Sequence, residues 1–218
     1  MLERGYLTIG RLRGIPIRLH WTIPLGALLF SGFTFAPAFW VGFFLLVLIH
    51  ELGHATVVRA YGHQVLKVDV TGFGGMCHWF GNASRMERGA IAWGGVLAQL
   101  ALLGVSVAVL ALTGGAHSRW SLELASVFVR TNVWIMLLNL LPIPPLDGAE
   151  AWRFVADLIR GNPFPRPRWL RRRPPTRPSP PPWQAPPPAK TEEDAAAARK
   201  LAEALRDIGD AAGRARRN

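Results

Sequence analysis

Two long segments of this 218-residue chain contain no Asp, Glu, Lys or Arg. Residues 21–49 form one uncharged segment of 29 residues, and residues 90–113 form another of 24. About 20 apolar residues are enough for one helix to cross the hydrocarbon core of a bilayer. Soluble domains with buried core helices rarely contain uncharged runs of this length. The sequence therefore predicts a protein that is embedded in a membrane.

We predict an all-α polytopic membrane protein with about four transmembrane helices. The first uncharged segment is too short for two full-length helices, and Gly32 and Pro37 interrupt it. We therefore divide it into a short first span and a longer second helix. The four predicted spans cover approximately residues 19–35, 38–60, 90–113 and 126–141.

The distribution of charge predicts the orientation in the membrane and argues against a nucleic-acid-binding protein. The chain has 25 Lys and Arg against 14 Asp and Glu. With both termini in the cytoplasm, every basic residue except Arg119 and Arg130 falls on the inner side, as the positive-inside rule requires. We expect a multi-pass protein of the cell membrane and no nucleic-acid partner.

Cys77 is the only cysteine, which excludes an internal disulfide and a four-cysteine zinc site.

The second apolar helix contains the sequence HELGH. His50 and His54 are four residues apart, so their rings lie on one helix face, one turn from each other. This spacing allows both rings to bind one zinc ion, with Glu51 beside it as the base that deprotonates a water molecule. The alternative is a pair of hydrogen-bonded histidines without a metal. Ionisable side chains at membrane depth are costly and usually functional, which favours the metal site.

Two histidines and a water molecule leave room for a third protein ligand. The segment NLLPIPPLDG places Asp147 after three prolines that end the fourth span and let the backbone turn back. Asp147 is our predicted third ligand. The alternative role for this residue is an N-cap of the helix that begins at Gly148.

HELGH in an apolar helix, followed by NLLPIPPLDG at the end of a later one, resembles the site-2 protease family of intramembrane zinc metalloproteases. The resemblance covers approximately residues 10–160. It implies His50, His54 and Asp147 as Zn²⁺ ligands, Glu51 as catalytic base, and Asn139 as a residue that holds the substrate or the oxyanion. It also implies a single-span membrane protein as substrate, for example an anti-sigma factor released by regulated intramembrane proteolysis. One departure affects the third span, where Gly95 to Gln99 replace a Gly-Pro-x-x-Asn pattern, and we expect it to concern substrate handling.

Between the second and third spans the sequence predicts a small β-hairpin. Residues 64–71 alternate in polarity, and glycines follow at 72, 74 and 75. An edge strand near the metal could pair with an extended substrate segment. The alternative is a hairpin that only packs on the helices.

The domain organisation follows the composition. We predict a metalloprotease domain at residues 1–160, a disordered Pro- and Arg-rich cytoplasmic linker at 161–190, and a short cytoplasmic helix within 191–218. Twelve of the 18 prolines lie between residues 163 and 188, where no packed core can form. The apolar stripe of the helix, to about residue 208, is a possible binding site for a cytoplasmic partner.

The function predicted from these features is that of a zinc endopeptidase within the membrane, with the lipid bilayer as its surroundings. One rival is a zinc-dependent membrane adaptor of the same fold without proteolysis. A second rival is a zinc or proton transporter, which would require more carboxylates along the spans than this chain provides.

Overall fold

The computed structural model describes residues 5–170 and four residues of the tail, Ala196, Arg199, Lys200 and Glu203. These four are helical and exposed. The remainder of the predicted tail helix, and residues 171–190 of the predicted linker, lie outside the described residues. Residues 5–170 fall within one compact unit.

The prediction of an all-α protein is wrong, because the chain forms a four-stranded mixed sheet. Its strands are β1 (Tyr6–Leu12), β2 (Ile15–His20), β3 (Gln64–Thr71) and β4 (Gly74–Phe80). They lie in the order β1-β2-β3-β4. The outer pairs are antiparallel, whereas β2 and β3 are parallel. The predicted hairpin is therefore one half of a larger sheet, completed by the N-terminal segment.

The helices begin and end as follows: α1 Ile23–Phe30, α2 Pro37–Ala60, α3 Arg85–Leu112, α4 Arg119–Ala125, α5 Asn132–Asn139 and α6 Gly148–Ile159. A π-helical turn at Ser126–Thr131 joins α4 to α5, so that residues 119–139 form one continuous helix. A 3₁₀ turn at Arg168–Leu170 ends the described segment.

Within the described residues, three helices are long and apolar enough to cross a membrane, instead of the four predicted. They are Pro37–Ala60, Arg85–Leu112 and Arg119–Asn139. The predicted first span contains only α1, whose eight residues extend about 12 Å, well short of a hydrocarbon core of about 30 Å. The absence of charged residues from this segment indicates apolar surroundings, but it does not require a continuous helix.

Two of the helices begin earlier than hydropathy indicates because side chains cap them. Ser84 and Glu87 form a reciprocal capping box, so α3 starts with a charged turn before its apolar stretch. Ser118 and Ser121 form the equivalent box at the start of α4. Hydropathy detects the apolar part of a helix but not its polar first turn.

Helix α2 lies at the centre of the molecule, between α3 and the sheet. Phe43, Leu46 and Val58 of α2 are almost completely buried. The backbones of α2 and α3 approach each other closely at Gly53. A Cβ atom added there would collide with the carbonyl oxygen of Gly94 on α3. Val68 and Val70 turn one face of β3 into the same core. The central position of α2 brings its polar residues next to both α3 and the sheet.

The opposite face of the sheet carries a charged cluster that joins β2 to β3. Arg18 donates two hydrogen bonds to the Asp69 carboxylate, of 2.6 and 2.7 Å. His78 Nε2 lies 3.0 Å from the same carboxylate, and Lys67 Nζ lies 3.8 Å away. Burial alone would raise the pKa of Asp69, but the bonds from Arg18 and the neighbouring positive charges outweigh it and hold that pKa below its usual value.

Candidate metal centre

Two histidines and one aspartate bring their ligand atoms together beside α2. The Nε2 atoms of His50 and His54 are 3.0 Å apart. Asp147 Oδ2 lies 3.0 Å from the first and 3.2 Å from the second. Both histidines are buried, and the aspartate is partly buried. Among the residues that the structure describes, no other group of three His, Cys, Asp or Glu side chains has this arrangement.

The spacing of the three atoms suits a small tetrahedral cation. Ligand atoms about 2.0–2.1 Å from zinc are separated by about 3.3 Å in an ideal tetrahedron. The observed sides of 3.0, 3.0 and 3.2 Å are slightly shorter. A point about 2 Å from all three atoms exists just outside their plane. A zinc ion held there would have a fourth coordination position for water or substrate. The donor set therefore fits zinc.

Hydrogen bonds on the far side of each ring orient the histidines. His54 Nδ1 donates to the main-chain oxygen of Ile91 at 2.7 Å, and His50 Nδ1 donates to Gln99 Oε1 at 3.0 Å. Because the Nδ1 atoms carry the protons, the Nε2 lone pairs face each other and the Asp147 carboxylate. Three converging lone pairs repel one another unless a cation lies between them. This pattern is typical of metal-binding histidines.

Asp147 owes its position to the turn between α5 and α6. Gly148 lies against the main chain of Leu140 and Leu141, where a Cβ atom would collide with carbonyl groups. Trp152 Nε1 donates to the Leu140 oxygen at 2.7 Å and fastens α6 to the end of α5. Asp147 occupies the N-cap position of α6, but its side chain makes no capping hydrogen bond. Its carboxylate is directed at the two histidines instead.

Glu51 and Asn139 lie next to the three potential ligands. Glu51 is only 3% exposed. A Cβ atom added at Gly75 of β4 would collide with its side chain, so the strand lies directly against the carboxylate. Asn139 Nδ2 lies 3.5 Å from His50 Nε2. The structure thus brings together all five residues that the sequence analysis selected.

These groups face a cavity of about 400 Å³, of which β4 forms one wall. Phe73, Met76 and Trp79 contribute to that wall, and Ile135 lies on the side of α5. Strand β4 is hydrogen-bonded to β3 on one side only, which makes it an edge strand of the sheet. The cavity combines polar groups at its base with an apolar wall and an open strand edge.

Sequence reasoning did not assign a role at the metal centre to Gln99 or Gly95. Gln99 is fully buried and bonds His50, whereas the sequence analysis treated it as a departure affecting substrate handling. At Gly95 a Cβ atom would lie 2.5 Å from ring atoms of both His50 and His54. The sequence of α3 alone does not indicate either role, because both the Gln99 bond and the space at Gly95 depend on which face of α3 meets α2.

The adjacent residues Cys77 and His78 have side chains of a kind that binds metals, but the structure separates these side chains. They are neighbours on β4 and therefore point to opposite faces of the sheet. His78 bonds Asp69. Burial, together with the negative charge of Glu51, raises the pKa of the Cys77 thiol to about 12. Cys77 is consequently a neutral, partly buried thiol at pH 7, which is a poor metal ligand.

Fold and site together define a membrane protein with a His-His-Asp group that has the geometry to hold a metal ion, next to a glutamate. No protein-family model matches the chain. Over 182 residues it is 30% identical to Rip3 of Mycobacterium tuberculosis, which is named as a zinc metalloprotease, and the match covers 72% of this chain and 46% of Rip3. Over 108 residues it is 34% identical to stage IV sporulation protein FB of Bacillus subtilis, covering 49% of this chain and 36% of that protein.

Among solved structures, the fold is similar to that of the site-2 protease from Methanocaldococcus jannaschii. The TM-score is 0.53 at 24% identity, covering 70% of this chain and 72% of that one. The chain is thus similar in sequence to a zinc metalloprotease and in fold to a site-2 protease, which confirms the resemblance that its motifs indicated. It spans less than half the length of the curated relatives that it matches.

Proposed function

We propose that the protein is a zinc metalloendopeptidase that cleaves single-span membrane proteins within or near the bilayer. The observation that carries this proposal is the convergence of His50, His54 and Asp147 beside Glu51 at the base of one cavity. A regulated membrane-tethered protein such as an anti-sigma factor is the expected type of substrate.

His50, His54 and Asp147 would hold the zinc ion. When bound there, zinc would supply a Lewis acid that lowers the pKa of a water molecule to about 7 and polarises a carbonyl group. Glu51 would accept a proton from the attacking water as the new C–O bond forms. It would then deliver that proton to the amide nitrogen as the C–N bond breaks. Its position one residue after His50 supports both transfers.

Asn139 and Gln99 would assist in different ways. The Asn139 amide is a hydrogen-bond donor close to the ligand set, so it is placed to stabilise negative charge on the oxygen of the tetrahedral intermediate. Gln99 would not touch the substrate. Its bond to His50 fixes the ring orientation and tautomer, and is the kind of contact that strengthens metal binding.

The free edge of β4 supports a mode of substrate binding. A peptide bond inside a helix is shielded by its own hydrogen bonds, so a membrane-spanning substrate must unwind before it is cut. An extended segment could pair with the open edge of β4 and present its scissile bond to Glu51 at the cavity base. Main-chain pairing of this kind would accept a range of side chains.

The course of the chain supports a multi-pass protein with both termini on the cytoplasmic side. Strand β2 pairs with β3, which follows the C-terminal end of α2. The chain must then reach Pro37, at the opposite end of a helix about 36 Å long. Residues 21–36 therefore run along α2, where Phe30 stacks on Phe43 at 5.2 Å. A strand, a short helix and an extended segment would replace the predicted first helical span.

Glu51→Gln is the direct test of the proposed chemistry. We expect the variant to bind about one zinc per chain, like the wild type, and to lose cleavage of a co-reconstituted single-span substrate. The amide keeps the size of the side chain but accepts no proton. Glu203→Gln makes the same chemical change at an exposed position of the tail and should cleave normally. Cleavage retained by Glu51→Gln would contradict the proposal.

A further inference from the structure

A second cavity lies at the C-terminal end of α2, away from the metal centre. Its volume is about 410 Å³. Arg13 enters it from the β1–β2 turn, Arg59 from the last turn of α2, and Gln64 from the start of β3. Among the residues that the structure describes, no Asp or Glu lines this cavity. It is therefore a polar site with cationic walls.

The two guanidinium groups are not used elsewhere. In the part of the chain that the structure describes, neither Arg13 nor Arg59 forms an ion pair or a side-chain hydrogen bond, unlike Arg18, Arg85 or Arg119. Guanidinium groups are strong donors that suit the paired oxygens of a phosphate. Two unpaired groups at one cavity repel each other unless an anion lies between them.

Arg13 occupies a position that is unfavourable for arginine. It forms a two-residue turn with Gly14 between the paired residues Leu12 and Ile15. Both turn residues have positive φ, +50° at Arg13 and +85° at Gly14, as in a type I′ turn. Asn-Gly is the preferred sequence for this turn, and arginine rarely adopts such a φ. A strained backbone that carries a cation into a cavity indicates a function for the side chain.

The His63 side chain also lines the cavity, where it packs beside Trp79 and faces Glu87. Its ring lies 5.5 Å from Trp79, and its Nε2 lies 3.8 Å from Glu87. Arg168 adds a further cation nearby, since its side chain covers Gly62. Within residues 5–170, the donors of the cavity that have no protein partner are therefore those of Arg13, Arg59 and Gln64.

The position of the cavity identifies the source of the anion. Helix α2 is about 36 Å long, against about 30 Å for the hydrocarbon core, so its last turn reaches the headgroup layer. The basic residues predict that this end is cytoplasmic, and the cytoplasmic leaflet contains anionic lipids. We propose that Arg13, Arg59 and Gln64 form a binding site for the phosphate of an anionic phospholipid headgroup.

The test measures the unfolding temperature of the detergent-purified full-length chain with added lipid. Phosphatidylglycerol should raise it more than phosphatidylcholine does. Arg59→Gln and Arg13→Asn should each weaken the apparent affinity by roughly tenfold, as expected for one lost charged hydrogen-bond donor. Arg11→Gln removes a nearby exposed charge that does not line the cavity, so it should behave like the wild type.

Arg13→Asn separates binding from folding. Because it creates the preferred turn sequence, the variant should be at least as stable as the wild type in phosphatidylcholine while responding to phosphatidylglycerol only at roughly tenfold higher concentration. The proposal is overturned if the wild type shows no preference for phosphatidylglycerol, or if both cavity variants keep it. If soluble glycerol phosphate gives the full wild-type shift, the anion site is upheld and its assignment to lipid is overturned. No outcome depends on peptidase activity.

Discussion

Gly95 gives the two histidine rings the space in which they lie. A Cβ atom there would lie 2.5 Å from His50 Cε1 and from His54 Nε2, much closer than van der Waals contact. Gly104 is on the same helix and has no neighbouring atom within 4 Å of the equivalent point. The two glycines therefore form a matched pair that differs in its relation to the metal centre.

We expect Gly95→Ala to displace the rings and lower zinc affinity by at least tenfold, the lower end of the effects seen when the surroundings of ligands are altered. Gly104→Ala should bind zinc normally, and its helix should be slightly more stable because alanine is the better helix former. Zinc per chain and a competition titration with a chelator would measure both. Equal zinc affinity in the two variants would contradict this account of Gly95.

The site could be predicted from the sequence where its residues share one element or one motif. His50, Glu51 and His54 follow from the spacing within one helix, and Asp147 from the proline-rich segment before it. Gln99 could not be predicted in this way. It lies 49 residues from His50, and its contact exists only because α3 presents that face to α2. Contacts across a helix pair are set by tertiary packing and leave no local pattern.

At the scale of elements, the Arg18–Asp69 pair joins the two halves of the sheet. The folded-state pKa of Asp69 is held below that of an unfolded aspartate, about 3.9. The pair therefore stabilises the fold above about pH 4, and this contribution is lost as the pH falls through the lowered pKa. The sheet should thus become easier to unfold in acid.

Asp69→Asn should lower the free energy of unfolding by about 3 kcal/mol at pH 7, because it removes the carboxylate charge to which the largely buried Arg18 guanidinium donates two hydrogen bonds. The difference from the wild type should shrink as the pH falls below about 4, through the lowered pKa of Asp69. Denaturant unfolding in detergent micelles would measure it. Lys67→Gln removes a charge that is 3.8 Å from Asp69 and should have a much smaller effect. A difference that is independent of pH would contradict the assignment.

The elements were predictable to different degrees for physical reasons. Residues 64–71 were predicted as a strand and form β3, because Val68 and Val70 alternate with Lys67 and Asp69. Strand β1 was missed because almost all of it is exposed, so its burial does not alternate. Strand β2 was missed because it pairs with β3 about 50 residues away. The absence of charge in residues 21–49 indicated apolar surroundings, which a short helix and an extended segment satisfy as well as two helices do.

At the scale of the whole molecule, the end of the membrane domain can be tested by truncation. The predicted boundary at residue 160 stays a prediction, but residues 161–170 make specific contacts. Pro165 is buried, and its main-chain oxygen accepts a hydrogen bond from the Tyr61 hydroxyl at 3.3 Å. Phe164 lies 5.7 Å from Phe154 in an edge-to-face arrangement.

A chain ending at residue 172 should retain zinc binding and unfold at nearly the temperature of the full chain. A chain ending at residue 160 should unfold at a lower temperature, since it loses the Phe164 contact and exposes the Tyr61 side chain. Thermal unfolding of both proteins in the same detergent would compare them. Identical unfolding temperatures would support the boundary at 160.

Helix α2 is held at its first turn and carries a cation at its last. Near its first turn, the Glu123 carboxylate accepts hydrogen bonds from the Ala38 and Phe39 amides, and near its last turn Arg59 faces the second cavity. The helix is about 6 Å longer than the hydrocarbon core, and this excess carries its last turn into the headgroup layer. His50 lies between the two ends, so its depth in a bilayer depends on where they lie relative to the headgroup layers. The thickness of the host bilayer would thereby select which peptide bond of a passing helix reaches the metal.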